Sequence, residues 1–411
     1  EILIGLVGSE MCIRDSKYIG RVGNVKKKKF FLVLLIVFAI LFVSPITASA
    51  DSLNDNIDEQ LGNLDLSEIE EYLDSLTQDE QGVFSNGFLQ VVKEILNGEA
   101  QYSISDVFSV FFGGIISDFN NLVPHFVIIL AISVLCGLIT SSKSNYLSES
   151  IKEVVFYTCM IAVILIVAAD FGSLVEKTKN TIEKLTNLSQ IMLPVILTLM
   201  IASGGNASAA LYKPAVAFLS NGISSVFINV LIPIISLIVV FAVLSNLSPA
   251  FKLNNMQGFL QGIVKWVIGL SITIFTFFMS AQGLSSAVID GVSFRAAKYA
   301  ITNSIPIVGG FLKDGFDLVL AGSVLIKNAV GLSAVFLLFS IVLQPVIYMI
   351  VFQLMLKLFA ALTEPVGDTR ISGFLMSMSK SVSYLLAVIM AIGLMIFISL
   401  LLLIISANAF I

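Results

Sequence analysis

The charged residues best placed to do chemistry lie in one short stretch, Glu364-Pro365-Val366-Gly367-Asp368-Thr369-Arg370. Two carboxylates and a guanidinium stand within seven residues, between two long apolar runs. Charged groups at the ends of membrane helices are costly unless paired or hydrated, so these can pair in a tight turn or line the vestibule of a pathway. Glu364, Asp368 and Arg370 are therefore candidate pathway or structural residues, with both interpretations open.

Signs of enzymatic chemistry are weak. His125 is the only histidine, so a catalytic triad or a histidine metal site has one candidate base and no cluster around it. Its place beside Pro124, where an apolar run begins, favours a histidine at the membrane interface. No phosphate-binding loop, H-E-x-x-H or C-x-x-C motif occurs. We expect no enzymatic activity, cofactor or metal, so any energy input would come from a partner or an ion gradient.

Composition defines the elements that must position these residues. The chain has 411 residues, of which 57% are hydrophobic and 12% charged, with a mean hydropathy of +0.98. Such a chain is typical of an all-α polytopic membrane protein. Six runs are clear spans, namely 122–140, 154–175, 224–245, 266–288, 330–352 and 383–405. Two stretches, 191–202 and 301–325, are ambiguous because Pro and Gly interrupt them. Cys136 and Cys159 stand inside apolar runs, which indicates small hydrophobic residues within helices.

Residues 1–50 are predicted to be a leader that is absent from the mature protein. Residues 1–16 resemble the translation of a sequencing adapter and are interpreted as an assembly artefact. Residues 17–50 read as a signal peptide, with a lysine cluster at 26–29, an apolar run at 30–43 and an A-x-A site ending at Ala50. The mature chain is then expected to begin outside the cytoplasm.

Residues 51–121 form an acidic external segment, with fifteen Asp and Glu against Lys93 alone. Ser67 and Glu70 have the spacing of a capping box. Two apolar stripes with helical spacing follow, Ile69, Tyr72, Leu73 and Leu76, then Phe88, Val91, Val92, Ile95 and Leu96. A third short helix is predicted near Ser103 and Asp106. These helices are too small for a large core of their own, so they are expected to pack on the membrane part, on lipid or on a partner.

The membrane part contains a predicted duplication. Residues 122–188 form a two-span lead-in, followed by units 189–288 and 301–405. Pro194 corresponds to Pro306, and Pro233 to Pro345. "GFLQGIVKWV" matches "GFLMSMSKSV" at one offset, which pairs Lys265 with Lys380. Each matched stretch predicts a helix lying in the interface that turns into the next span at its lysine. Pro-broken units of this kind resemble transporter repeats.

The number of spans stays open at this point. If the stretches around Pro194 and Pro306 cross the membrane, the copies are inverted and eight spans result. If they are re-entrant hairpins, the copies are parallel and six spans result, and a mixed count gives seven. Lysine and arginine counts in the loops do not decide between these alternatives.

This layout, together with "SIPIVGGFLKD" and "TEPVGDTRISGF", resembles the stage III sporulation protein AE family of endospore-forming bacteria. The resemblance covers about residues 26–411 and implies a multi-pass protein of the mother-cell membrane. It implies a channel joining mother cell and forespore, built with the other stage III A proteins and the forespore protein Q. It also implies a separate ATPase and support of late forespore gene expression. The alternatives are a free-standing secondary transporter and a non-conducting scaffold.

Overall fold

The computed structural model describes residues 57, 59–62, 64–99, 104–140, 148–247, 253–304, 309–365 and 367–406. Within these ranges most of the chain is helical, short turns join the helices, and there is no strand. After a helical stretch at 59–62 come the short helices α1 (Ser67–Asp74), α2 (Gln78–Gln81) and α3 (Phe88–Leu96). Eight further helices follow: α4 (Ile104–Thr140), α5 (Glu149–Ala202), α6 (Asn206–Ala217), α7 (Ser224–Val226), α8 (Ile232–Leu247), α9 (Asn254–Ser304), α10 (Gly309–Thr363) and α11 (Thr369–Ile405).

Helices α6, α7 and α8 run on from one another. The π-helical turns Phe218–Ile223 and Phe227–Leu231 join them without an intervening loop. Pro214 lies within α6 and Pro233 within the first turn of α8. The extra residue per turn in a π-helix rotates the side chains that follow it, so the face presented by α8 is offset from that of α6.

Six stretches of the described helices are long and apolar enough to cross a membrane, judged by length and composition. They are Phe112–Thr140, Glu149–Ala202, Asn221–Leu247, Asn254–Gln282, Asp317–Thr363 and Thr369–Ile405. Each of them overlaps one of the six predicted runs. The expectation of an all-α, multi-pass membrane protein is confirmed.

The ambiguous stretch 191–202 is not a broken segment. Helix α5 continues through Pro194 to Ala202, and the chain turns only at Ser203–Gly205, where Gly204 has φ 87°. A left-handed conformation of this kind is one that glycine adopts without strain. The order of the long helices recurs: α5 is followed by α6 to α8 and then α9, and α9 is followed by α10 and then α11. This order has two long apolar helices per unit, as in the six-span alternative. The boundary placed at 188/189 falls inside α5.

Three helices are much longer than a bilayer is thick. Helices α5, α9 and α10 have 54, 51 and 55 residues. At 1.5 Å per residue each is about 80 Å long, against a hydrocarbon core of about 30 Å. In α5 the apolar run ends at Glu176, and polar residues follow. We call residues 176–202, 206–217, 283–304 and 309–340, which include parts of the span candidates in α5 and α10, the helical extension. Within it the carboxylate of Asp290 accepts hydrogen bonds from the backbone N–H groups of Ala207 and Ser208, at 2.7 and 2.9 Å.

The acidic segment packs against this extension, which is the first of the three placements considered for it. Helix α1 contacts α5, while α2 and α3 contact α10. The hydroxyl of Tyr72 donates to the carbonyl of Lys184 at 2.8 Å, and the amide of Gln60 donates to the carbonyl of Val319 at 3.3 Å. The first apolar stripe is buried, as are Phe88, Val91 and Val92 of the second. The two amphipathic helices predicted from the stripes are confirmed.

Two local predictions in this segment are wrong. Ser67 does not form a capping box with Glu70, because its hydroxyl and N–H donate to Asp65. Glu70 instead accepts the N–H groups of Phe88 and Leu89, at 2.9 and 3.3 Å, and so caps α3. The capping box in this part of the chain joins Thr77 and Glu80. The predicted third short helix is the first part of the continuous α4.

The paired interfacial helices are also not found. Residues 256–263 and 371–378 are the opening turns of the unbroken helices α9 and α11. In the second copy the apolar stripe, Ile371, Phe374, Leu375 and Met378, is buried against other helices. In the first copy Met256 and Phe259 are exposed. Nothing near Lys265 or Lys380 removes a backbone donor or crowds the helix, so each helix continues past its lysine.

Helices α10 and α11 form the centre of the bundle, and α4, α5 and α8 pack around them. A Cβ placed at Gly331 of α10 would overlap a side-chain carbon of Ile404 in α11. The absence of that side chain lets the two backbones approach. Phe126 of α4 packs on Phe352 and Phe359 of α10, with ring centroids 5.6 and 5.2 Å apart.

The pairing of α4 with α5 can be tested with the native cysteines. Cys136 of α4 and Cys159 of α5 both lie within apolar runs, and their thiols are close enough to interact. With the chain expressed from residue 17, membranes treated with a permeant oxidant are expected to lose both free thiols through one intramolecular disulfide. The measurement is mass spectrometry of the linked peptides. Cys159→Ser is the control, and two thiols that stay free under oxidation would contradict this packing.

Candidate functional site

The 364–370 stretch is a paired turn. Asp368 is the N-cap of α11, and its Oδ1 accepts the N–H of Arg370 at 2.9 Å. The guanidinium of Arg370 donates from Nε to Oδ1 at 3.1 Å and from Nη2 to Oδ2 at 2.9 Å. It also lies 3.2 Å from the ring centroid of Phe156. Both side chains are thereby satisfied locally, which corresponds to the tight-turn interpretation, while Glu364 is exposed.

Close packing fixes this turn against α4. A Cβ at Gly367 would stand 2.8 Å from the carbonyl oxygen of Thr363 and 3.1 Å from that of Ser133. Both are backbone atoms, which cannot move aside as a flexible side chain could. The turn therefore joins α10 and α11 to α4, and its geometry supports a structural role.

The prolines occupy separate places. Pro194 lies inside α5 in the extension, Pro233 in the first turn of α8, and Pro345 is buried inside α10. The hydroxyl of Thr198 donates to the carbonyl of Pro194 at 2.9 Å. Pro306 lies outside the described residues. The three described prolines of the predicted set, Pro194, Pro233 and Pro345, sit on three different helices.

The lysines of the repeat are exposed. The ammonium of Lys265 lies 5.8 Å from the ring centroid of Tyr384 in α11, so it links α9 to the second unit. Lys380 is exposed on α11. Of the predicted site residues, the structure brings together Asp368 and Arg370.

Sequence reasoning missed a set of ionisable residues between α4, α5 and α10, which we call the polar ladder. His125 Nδ1 of α4 lies 3.2 Å from Asp170 Oδ1 of α5. Asp118 of α4 and Lys177 of α5 interact through their charges. The ammonium of Lys177 stands 3.5 Å from the ring centroid of Tyr348 in α10. The ladder thus has two rungs and a tyrosine beside them.

A sequence signal for the ladder existed. Asp118 and His125 are seven residues apart on α4, and Asp170 and Lys177 are seven apart on α5. Side chains seven residues apart lie on one face of a helix, two turns from each other. Antiparallel helices can therefore match the two pairs rung for rung. The sequence alone did not reveal which faces meet.

A second polar contact clamps the acidic segment to the extension. The ammonium of Lys184 donates to both carboxylate oxygens of Glu80, at 2.7 and 2.6 Å. The N–H and hydroxyl of Thr77 donate to the same carboxylate at 3.0 and 2.9 Å. Burial by itself would raise the pKa of Glu80, but these hydrogen bonds and the charge of Lys184 outweigh it and hold that pKa below its ordinary value. Burial, and to a lesser extent the charge of Glu80, raises the pKa of Tyr72.

Metal-binding groups and cavities add little to these polar contacts. No group of three or more His, Cys, Asp or Glu side chains able to hold a metal occurs in the described part of the chain. A cavity of about 330 Å³ lies between α1 and α5. It is lined by Leu64, Asp65, Glu68, Ile69, Ile191, Pro194, Val195 and Thr198.

Comparison with known proteins relates this architecture to a family. The family model described as stage III sporulation protein AE matches residues 87–407. The stage III sporulation protein AE of Bacillus subtilis (strain 168) is 26% identical over 396 residues, which cover 93% of this chain and 98% of that protein. No solved structure matches the chain. The matched residues include α3 to α11, the polar ladder and the paired turn. The chain therefore belongs to the stage III sporulation protein AE family.

Proposed function

We propose that the protein is a non-enzymatic, permease-like membrane component of the sporulation channel complex that links mother cell and forespore. In this role it supports late forespore gene expression. Family membership supports a sporulation role and a place among the stage III A sporulation proteins. The further partners in the proposal are the forespore protein Q and a separate ATPase.

The observation that carries the proposal is the acidic segment held on the helical extension. Its clamp residue Glu80 faces inward to Lys184, while Glu68, Glu71 and Asp74 of α1 remain exposed. A rigidly docked acidic surface is suited to electrostatic recognition of other proteins. In the proposed orientation a signal peptide has exported residues 51–121, so this surface faces the space between the two membranes and the protein lies in the mother-cell membrane.

Two other functions compete with this one. A free-standing secondary transporter would carry its solute through the bundle and would not need the exposed acidic face. A non-conducting scaffold would need that face for partners but would leave the bilayer sealed. The three proposals therefore differ in how sporulation and permeability respond to changes on α1.

The test reverses two exposed charges, Glu71→Lys and Asp74→Lys, in a spore-forming strain that lacks its own family member. We expect normal membrane insertion and a late forespore reporter close to that of the deletion strain. The matched control is Glu149→Lys with Glu153→Lys, two exposed carboxylates at the far end of α5. Full reporter activity in the α1 variant would favour the transporter. Dye leakage from proteoliposomes separates a channel from a scaffold.

A further inference from the structure

We propose that His125 and Asp170 form a proton-binding site, placed at the end of the membrane helices nearest the docked acidic segment. Neither the family match nor the proposed channel role assigns such a site. The ligand is a proton taken from water at that end of the bundle. The inference rests on the geometry and charge balance of the polar ladder and is independent of whether the complex conducts.

The position of the ladder follows from its neighbours. Lys177 lies seven residues before Lys184, the residue clamped by Glu80, which is about 10 Å along α5. Tyr348 lies eight residues after Ser340, whose hydroxyl is next to Gly82 of the docked segment. The ladder therefore occupies the boundary between the apolar spans and the helical extension, where ionisable residues have access to water on one side only.

Each rung joins the same two helices with opposite polarity. In the rung farther from the docked segment α4 supplies the histidine and α5 the carboxylate, at 3.2 Å. In the nearer rung α4 supplies the carboxylate, Asp118, and α5 the ammonium, Lys177. Tyr348 of α10 lies under Lys177, and its phenol interacts with the charges of both aspartates. Among the described residues of α4, α5 and α10, these five titratable side chains interact at the ladder.

Charge balance favours one bound proton at the His125–Asp170 pair. With Asp118 and Asp170 ionised, Lys177 charged and Tyr348 neutral, the ladder carries a net charge of −1 when His125 is neutral. It carries zero when the ring is protonated. An unbalanced charge between apolar helices is costly, whereas a balanced one is much less so. The ladder is therefore balanced when the His125–Asp170 pair holds one proton.

Burial shows how the proton enters. The side chain of Asp170 is 14% exposed, and its Oδ2 is buried without a hydrogen-bond partner among the described residues. The side chain of His125 is 52% exposed. Since Nδ1 faces Asp170, Nε2 is the nitrogen that exchanges protons with water. A proton taken up there converts the contact between a neutral ring and a carboxylate into an ion pair between α4 and α5. Its release leaves a buried carboxylate without a counter-charge and weakens the contact between those helices.

The single histidine makes the site directly measurable. The full chain in lipid nanodiscs, labelled with ¹⁵N-histidine, gives ring nitrogen signals from His125 alone. We expect Asp170→Asn to weaken proton binding by the ring about tenfold or more, because it removes the paired charge. The control is Glu183→Gln, an exposed carboxylate farther along α5, which should leave the titration unchanged.

Loss of the Cys136–Cys159 crosslink would show that Asp170→Asn disturbs folding. In that case two other variants test the proposal. Asp118→Asn should weaken proton binding about fivefold, and Lys177→Met should strengthen it by a similar factor. A merely structural role would not move the two variants in opposite directions. A ring titration that is the same in Asp118→Asn, Lys177→Met and the unmodified chain would overturn the proposal.

Discussion

Lys184→Glu is expected to release the acidic segment from the helical extension while the membrane bundle stays folded. The substitution places two carboxylates within about 3 Å of each other at a position where Glu80 is only 9% exposed. Removing one partner of a buried ion pair costs about 3–5 kcal/mol. Because Lys184 is partly exposed, we expect the free-energy cost of Lys184→Glu to be about 3 kcal/mol or less. Hydrogen exchange of residues 67–96 should rise by a factor of up to about 100.

The control for this variant is Lys213→Glu, an exposed lysine on α6 without a role in the clamp. The double exchange Glu80→Lys with Lys184→Glu restores opposite charges across the contact. It should recover part of the docking but not all of it, because Glu80 also caps α2, and a lost cap costs about 1 kcal/mol. Unchanged protection of residues 67–96 in Lys184→Glu would show that apolar packing alone holds the segment.

The same clamp gives a pH dependence with a definite sign. The folded-state pKa of Glu80 is lowered, so its contribution to docking is fully present above the ordinary glutamate value. It is lost as the pH falls through the lowered value, because protonation removes the charge that Lys184 binds. Spin labels at the exposed positions Ser85 and Glu183 should therefore report a docked distance at neutral pH and a broadened distribution in acid. In Glu80→Gln the distribution should be broadened at both pH values.

The second large effect concerns the paired turn. Asp368→Lys is expected to destabilise the bundle by about 2–4 kcal/mol, because it removes the N-cap of α11, reverses a favourable charge at the helix N-terminus and repels Arg370. The same reversal at the exposed Glu364 should change stability by less than about 0.5 kcal/mol. Thermal unfolding in detergent, followed by circular dichroism, compares the two variants.

Asp368→Asn sharpens this comparison, since asparagine caps helices nearly as well as aspartate but cannot form the ion pair. Its stability should lie between that of the unmodified chain and that of Asp368→Lys. Equal stability of Asp368→Lys and Glu364→Lys would remove Asp368 from a capping role. Loss of sporulation in Glu364→Lys at unchanged stability would instead indicate that a partner binds this exposed carboxylate.

The sequence predicted the parts of this fold that depend on local pattern. The six apolar runs and the stripes of α1 and α3 were found because a helix repeats every 3.6 residues and a bilayer sets a minimum span length. The sequence predicted less well where a helix ends or is interrupted. Proline at 194 indicated an interruption, yet α5 passes through it, and the turn comes at Gly204 instead. A single missing backbone donor is tolerated when the helix is supported on its sides by neighbours.

Polar partners were decided by tertiary structure. Glu70 has the spacing of a capping box with Ser67 but caps α3, and Glu80 binds Lys184 across 104 residues. The sequence contained each charged residue of the polar ladder and the seven-residue spacing on each helix. It did not contain the register of α4 against α5, because apolar packing over the whole bundle sets that register. An apolar stripe indicates which side of a helix is buried, whereas the distance between two charges depends on every helix that positions them.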